Sequence, residues 1–156
     1  MKKQFEILKN TRDYLLAYVS DLSVEQLNEI PAGFNNNIIW NLGHIIAAQQ
    51  GVCYKRSGIS MLVSEDFFNA YKPDSKPEKF IDTESVEAIK ALLLSSIALL
   101  EVDYANNAFE NYIPWTNRYG IEHLTIEDTL RFLPYHEGLH LGYVMALKRT
   151  IKNKPQ

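Results

Sequence analysis

Residues 37–52 read NIIWNLGHIIAAQQGV, and this stretch decides the fold class. Ile38, Ile39, Trp40, Leu42, Ile45, Ile46, Ala47, Ala48 and Val52 leave almost no polar face. There is no alternation of apolar and polar residues of the kind a half-buried strand requires. A helix that is apolar nearly all round belongs in the centre of a bundle rather than on its surface. Asn37, a residue type favoured at helix N-caps, predicts its start, and Ser57-Gly58 its end, giving a helix over about 37–56.

The segments around it supply the partners. Phe5, Leu8, Leu15 and Val19 recur at helical spacing and predict a helix over about 3–20, with Tyr14 and Tyr18 alongside. Ser23-Val-Glu-Gln26 is a capping-box pattern for a short helix. Residues 59–81, with Pro73 and Pro77, read as a long irregular stretch. Val86, Ile89, Leu93, Ile97, Leu100 and Tyr104 then form a one-sided stripe on a helix that starts near Asp82-Thr83. Residues 109–124 are aromatic and irregular, with room for a short hairpin. Thr125 with Asp128 opens a last helix running to about Ile151. Pro134 inside it predicts a kink, or two helices with Pro134 opening the second. The expectation is an all-α, four-helix bundle with a long crossover connection between its second and third long helices, forming a single domain over 1–156.

Composition narrows the function classes. With 156 residues, 46% of them hydrophobic and 22% charged, the chain can fill one core without disulfides or other staples. The net charge of −3 argues against a general nucleic-acid binder. No apolar run approaches the ~20 residues of a membrane span, and the N-terminal lysines are not followed by the apolar stretch that a signal peptide has. The lone cysteine, Cys53, rules out an intrachain disulfide and a cysteine-only zinc site, and the expected location is a reducing cytoplasm.

Four histidines carry the chemistry: His44, His123, His136 and His140. His136 and His140, at i and i+4, stand about 40° apart on a helix, with Cβ atoms roughly 5–6 Å apart, so both rings reach one ion. Their face also bears Thr129, Phe132, Leu133, Tyr143 and Leu147 and points inward. Burying two imidazoles side by side is unfavourable unless something binds them, and a metal ion does so. His136-Glu-Gly-Leu-His140 also fits the His-Glu-x-x-His signature, with Glu137 in the place of a general base. A zincin needs a further ligand downstream, and no Asp, Glu, His or Cys follows His140, so a protease is not expected. Glu137 reads instead as a flank or interface residue. The third ligand is sought upstream. His44 shares a face with Trp40, Ala47, Ala48 and Gly51, with Asn41 one turn back as a supporting donor. His123 reads as a surface or capping residue. Cys53, about 180° from His44 around the helix, reads as a small core residue.

The stretch from Asn37 through His44 to Ile45, a long gap, and His136-Glu-Gly-Leu-His140-Leu-Gly-Tyr143 resemble the DinB-like superfamily over essentially the whole chain. Pro31-Ala-Gly-Phe-Asn-Asn-Asn-Ile upstream is similar too; Pro134 departs from the pattern. The resemblance implies a homodimeric four-helix bundle with crossover topology. It also implies a divalent ion held by His44, His136 and His140, while the ligand type leaves zinc, nickel, iron or manganese open. Characterised relatives include transferases and isomerases that use low-molecular-weight thiols such as bacillithiol or mycothiol.

The expected function is therefore a metal-dependent enzyme acting on a small-molecule substrate, a thiol-dependent S-transferase or a related transferase or hydrolase. Trp40, Asn41 and Tyr143 are candidate substrate contacts, with Trp115, Arg118 and Tyr119 as further pocket residues. The alternatives are a non-catalytic metal-binding or stress-response protein that uses the ion structurally, and a helical bundle without metal.

Overall fold

A computed structural model describes residues 1–153. At its centre lies α3, Ile38–Gln49, every residue of which is buried. Asn37 caps it as expected: its Oδ1 accepts from the Trp40 amide at 2.8 Å, and its Nδ2 donates to the Asn28 carbonyl. The helix then widens into a π-helical turn, Gln50–Tyr54, tightens into a 3-10 turn, Lys55–Ser57, and stops at Gly58 with φ +67°. The predicted extent of 37–56 holds; the winding does not stay α to its end.

Around α3 stand α1 (Lys2–Tyr18), α5 (Thr83–Ala105) and α6 (Ile126–Lys152). Helix α1 packs on α5 and α6, and α3 packs on the same two, so each long helix has two principal neighbours. The stripe read on residues 86–104 points inward: Val86, Ile89, Leu93, Ile97 and Leu100 are all buried. Each such side chain contributes about 1.5–3 kcal/mol when fully removed from water. Short α2 (Val24–Asn28) carries the capping box read at Ser23 and Gln26. Helix α6 opens on a second box, Thr125 with Asp128, and runs unbroken through Pro134, so the two-helix alternative is wrong. Pro134 has no N–H to donate to the Leu130 carbonyl, and one ladder bond is lost there.

Two connections matter for the site. The stretch expected to be irregular over 59–81 contains a helix, α4 (Glu65–Tyr71), started by Ser64 accepting from the Phe67 amide. This corrects the loop reading: prolines 73 and 77 end the helix rather than forbid it. Helix α4 lies on α3, and the contact dictates Gly43. A Cβ there would stand 2.4 Å from the Tyr71 ring, so only glycine lets that ring rest on the α3 backbone. The second connection holds the expected hairpin, β1 (Trp115–Thr116) antiparallel to β2 (Glu122–His123), with Trp115 opposite His123. Among the described residues, no helix is long and apolar enough to cross a membrane.

Candidate metal centre

His44 comes from the middle of α3, and His136 and His140 from successive turns of α6, which packs against it. Their ring centroids stand 5.4 Å (His44–His136), 4.6 Å (His44–His140) and 4.7 Å (His136–His140) apart. One ligand nitrogen from each lies within 4.8 Å of the others, and the three form a group able to hold a metal ion.

Hydrogen bonds set which nitrogen is offered. His44 Nδ1 lies 2.8 Å from the Tyr71 carbonyl. A carbonyl only accepts, so Nδ1 carries the proton and Nε2 keeps a free lone pair. The same logic reaches His140 through two steps. Asn41 Nδ2 donates to the Asn37 carbonyl at 2.7 Å and to Asn36 Oδ1 at 3.1 Å, which turns Asn41 Oδ1 outward. That oxygen lies 2.8 Å from His140 Nδ1 and accepts from it, leaving Nε2 bare again. A ring N–H held by an oxygen while the other nitrogen stays open is the usual arrangement of a metal-ligating histidine. His136 differs: its Nδ1 is buried with no hydrogen-bond partner. An orphaned polar atom beside two bare lone pairs fits an ion binding here.

Electrostatics agree with the hydrogen bonds. Burial pushes His136 down to about 4, helped by the neighbouring His44, and His140 down to about 2, helped by His136 and His44. His44 is lowered too, again chiefly by burial. All three are neutral at physiological pH, the form that binds metals. No carboxylate belongs to the group, so an ion held here keeps its full charge, and three ligands leave coordination positions open.

All three histidines line a cavity of 760 Å³. Trp40 lines it and stacks on His44, ring centroids 4.8 Å apart at 16°. Trp115, Arg118 and Tyr119, delivered by the hairpin, line it too. Asn41 and Tyr143 are not among the lining residues. Asn41 is buried and acts on His140, as an acceptor rather than the donor expected. Tyr143 packs edge-on against Phe34 at 5.5 Å. Cys53 is fully buried as expected, and burial pushes its thiol far above the usual range.

Two readings need correction. His123 is neither a surface nor a capping residue: it is 2% exposed, stacked on Trp115 and bonded to Asn117. Glu137 is neither a flank nor an interface residue. It is buried, turned about 100° around α6 from His136, and paired with Arg12, Oε1 to Nη2 at 2.6 Å, which also keeps it from acting as a base. Arg12 carries no signal of its own in the sequence, although it fills the gap in the stripe Phe5, Leu8, Leu15, Val19 and is fully buried there.

No curated protein matches the sequence. The family model of the DinB superfamily matches residues 7–144, a span that takes in α3, the connection and the histidine pair of α6, and the chain belongs to that superfamily.

Proposed function

We propose that this protein is a metal-dependent enzyme whose divalent ion is held by His44, His136 and His140 and whose small-molecule substrate enters the adjoining cavity. The observation that carries the reading is the orientation of the rings. Two of them are locked with Nε2 bare, beside a cavity large enough for a small-molecule ligand. Such an ion supplies Lewis acidity, which makes a nucleophile of a water or a low-molecular-weight thiol at neutral pH.

The chain's own residues do the rest. Tyr71 and Asn41 hold His44 and His140 in register. Trp40 and Trp115 supply apolar walls. Cys53 is sealed in the core, so a reactive sulfur comes from a small thiol rather than from the protein. In this reading the four long helices are the crossover bundle of the family, and the assembly is a homodimer.

Metal analysis of the purified protein, with His44→Ala and His140→Ala beside it, tests the site. We expect stoichiometric metal in the wild type and loss in both variants. Incubation of the loaded protein with several thiols and monochlorobimane tests the transfer. Metal retention without any rate above the metal-free protein would favour a binding role over catalysis.

A further inference from the structure

The cavity's charge runs against that of the chain. The protein carries a net charge of −3, yet the cavity is lined by Lys55, Arg56 and Arg118 against a single carboxylate, Asp74. Two of the cations are already engaged. Lys55 Nζ pairs with Glu65 at 3.3 Å and sits over the Phe68 ring. Arg56 donates to the Pro114 carbonyl and lies over Trp115. The guanidinium of Arg118 makes no hydrogen bond or ion pair among the described residues, although it lines the same space as the three histidines.

Its backbone, by contrast, is held firmly. Asn117 Oδ1 accepts from the amides of Tyr119 at 2.9 Å and Ile121 at 3.0 Å, and the Gly120 amide donates to the Asn117 carbonyl. The two bonds to Oδ1 fix the amide's orientation, so Asn117 Nδ2 donates to Nε2 of the buried His123. His123 is thus the foot of a turn that holds Arg118 at the cavity wall, which accounts for a buried histidine outside the metal group.

We propose that the molecule taken into this cavity carries an oxyanion, a carboxylate or a phosphate, and that Arg118 grips it while the rest of the molecule reaches the histidines. A free guanidinium fork pairs with such groups through two parallel charge-assisted hydrogen bonds. The inference rests on the reading of the cavity as the substrate site.

The test is titration of zinc-loaded and metal-free protein with succinate, inorganic phosphate and neutral succinamide at constant ionic strength, followed by tryptophan fluorescence. Wild type, Arg118→Gln and Arg118→Lys are compared, with zinc content measured in every sample. We expect at least one anion to bind the wild type, succinamide not to bind, and Arg118→Gln to weaken the anion about tenfold or more in both metal states. Arg118→Lys should fall between, because it keeps the charge and loses the fork. Preference for succinate or phosphate identifies the group. Equal anion binding by wild type and Arg118→Gln, or no anion binding by the wild type, overturns the proposal. If zinc fails to bind while the Arg118 effect persists, the metal reading falls and this one stands.

Discussion

Helix α6 carries two opposite kinds of buried polar chemistry at adjacent positions. Glu137 lies in a closed network. Arg12, fully buried, uses all five N–H groups: on Glu137, on Gln49 Oε1, on the Leu93 carbonyl and on Ser96 Oγ. Gln49 in turn donates to the Ser96 carbonyl. One residue earlier, His136 joins a group with bare ring nitrogens and an unpartnered Nδ1. Both clusters draw on α3 and α6, through Gln49 and Glu137 in one case and His44 and His136 in the other. The closed one ties α1, α3, α5 and α6 together; the open one faces a cavity. Polar groups whose donors and acceptors are all matched hold helices in register, whereas an open group beside a cavity is able to take a ligand.

Breaking the closed cluster should have the largest effect. Arg12→Ala or Glu137→Ala leaves a buried charge alone, and we expect a loss of about 3–5 kcal/mol by urea unfolding. The paired change Arg12→Met with Glu137→Leu should recover part of this loss. It cannot recover all, since the Leu93 carbonyl and Gln49 Oε1 each lose the bond from Arg12. A cost below about 1 kcal/mol for either single change would show that the network is not what joins the helices.

The open cluster should respond in the reverse way. His140→Ala is expected to lower zinc affinity at least about 100-fold, roughly 2.7 kcal/mol, while leaving the metal-free protein as stable as before or more so. A large loss of metal-free stability with metal binding intact would make the histidines structural. Removing the group behind the ligand gives a smaller effect. Asn41→Ala should weaken zinc about 10–100-fold, the range typical of partners that orient a ligating histidine; unchanged affinity in a competition titration would remove Asn41 from the site.

The smallest effect is a pH slope. All three rings have folded pKa values below their ordinary 6.5, because burial disfavours the charged form. The unfolded chain therefore binds more protons, and stability rises with pH. In chelator-treated protein we expect stability to be flat above about pH 6.5. Below that it should fall by at most about 1.4 kcal/mol per pH unit for each histidine. His136 ceases to contribute near pH 4 and His140 near 2. Urea midpoints at pH 7, 6 and 5 measure this, and His136→Gln should flatten the slope.

Much of the frame was legible because it depends on periodicity. The apolar surface of α3, the stripe of α5 and the spacing of the α6 pair each follow from helical geometry, and three caps announced themselves at Ser23, Asn37 and Thr125. What stayed hidden depends on contacts between segments. Arg12 sits in the apolar stripe of α1, but a charge in such a stripe reads as a gap until Glu137 is seen opposite. Helix α4 had its own signal, Ser64 followed by Glu65 and Asp66, outweighed by the prolines beyond it. The Tyr71 carbonyl that orients His44 is a backbone atom and has no signature. His123 looked exposed because its burial comes from Trp115 and Asn117, which only the hairpin brings beside it.

The contact between Gly43 and Tyr71 has an evolutionary corollary. The two positions share one volume: the missing side chain of the first is filled by the ring of the second. Residue 71 also lends its backbone oxygen to His44, so the exchange of bulk between helices is coupled to how the first histidine is aimed. Relatives in which position 43 bears a side chain should therefore lack a ring at position 71 and orient their first histidine by some other acceptor. An alignment of the superfamily, sorted on these two columns, should separate into lineages with differently supported sites.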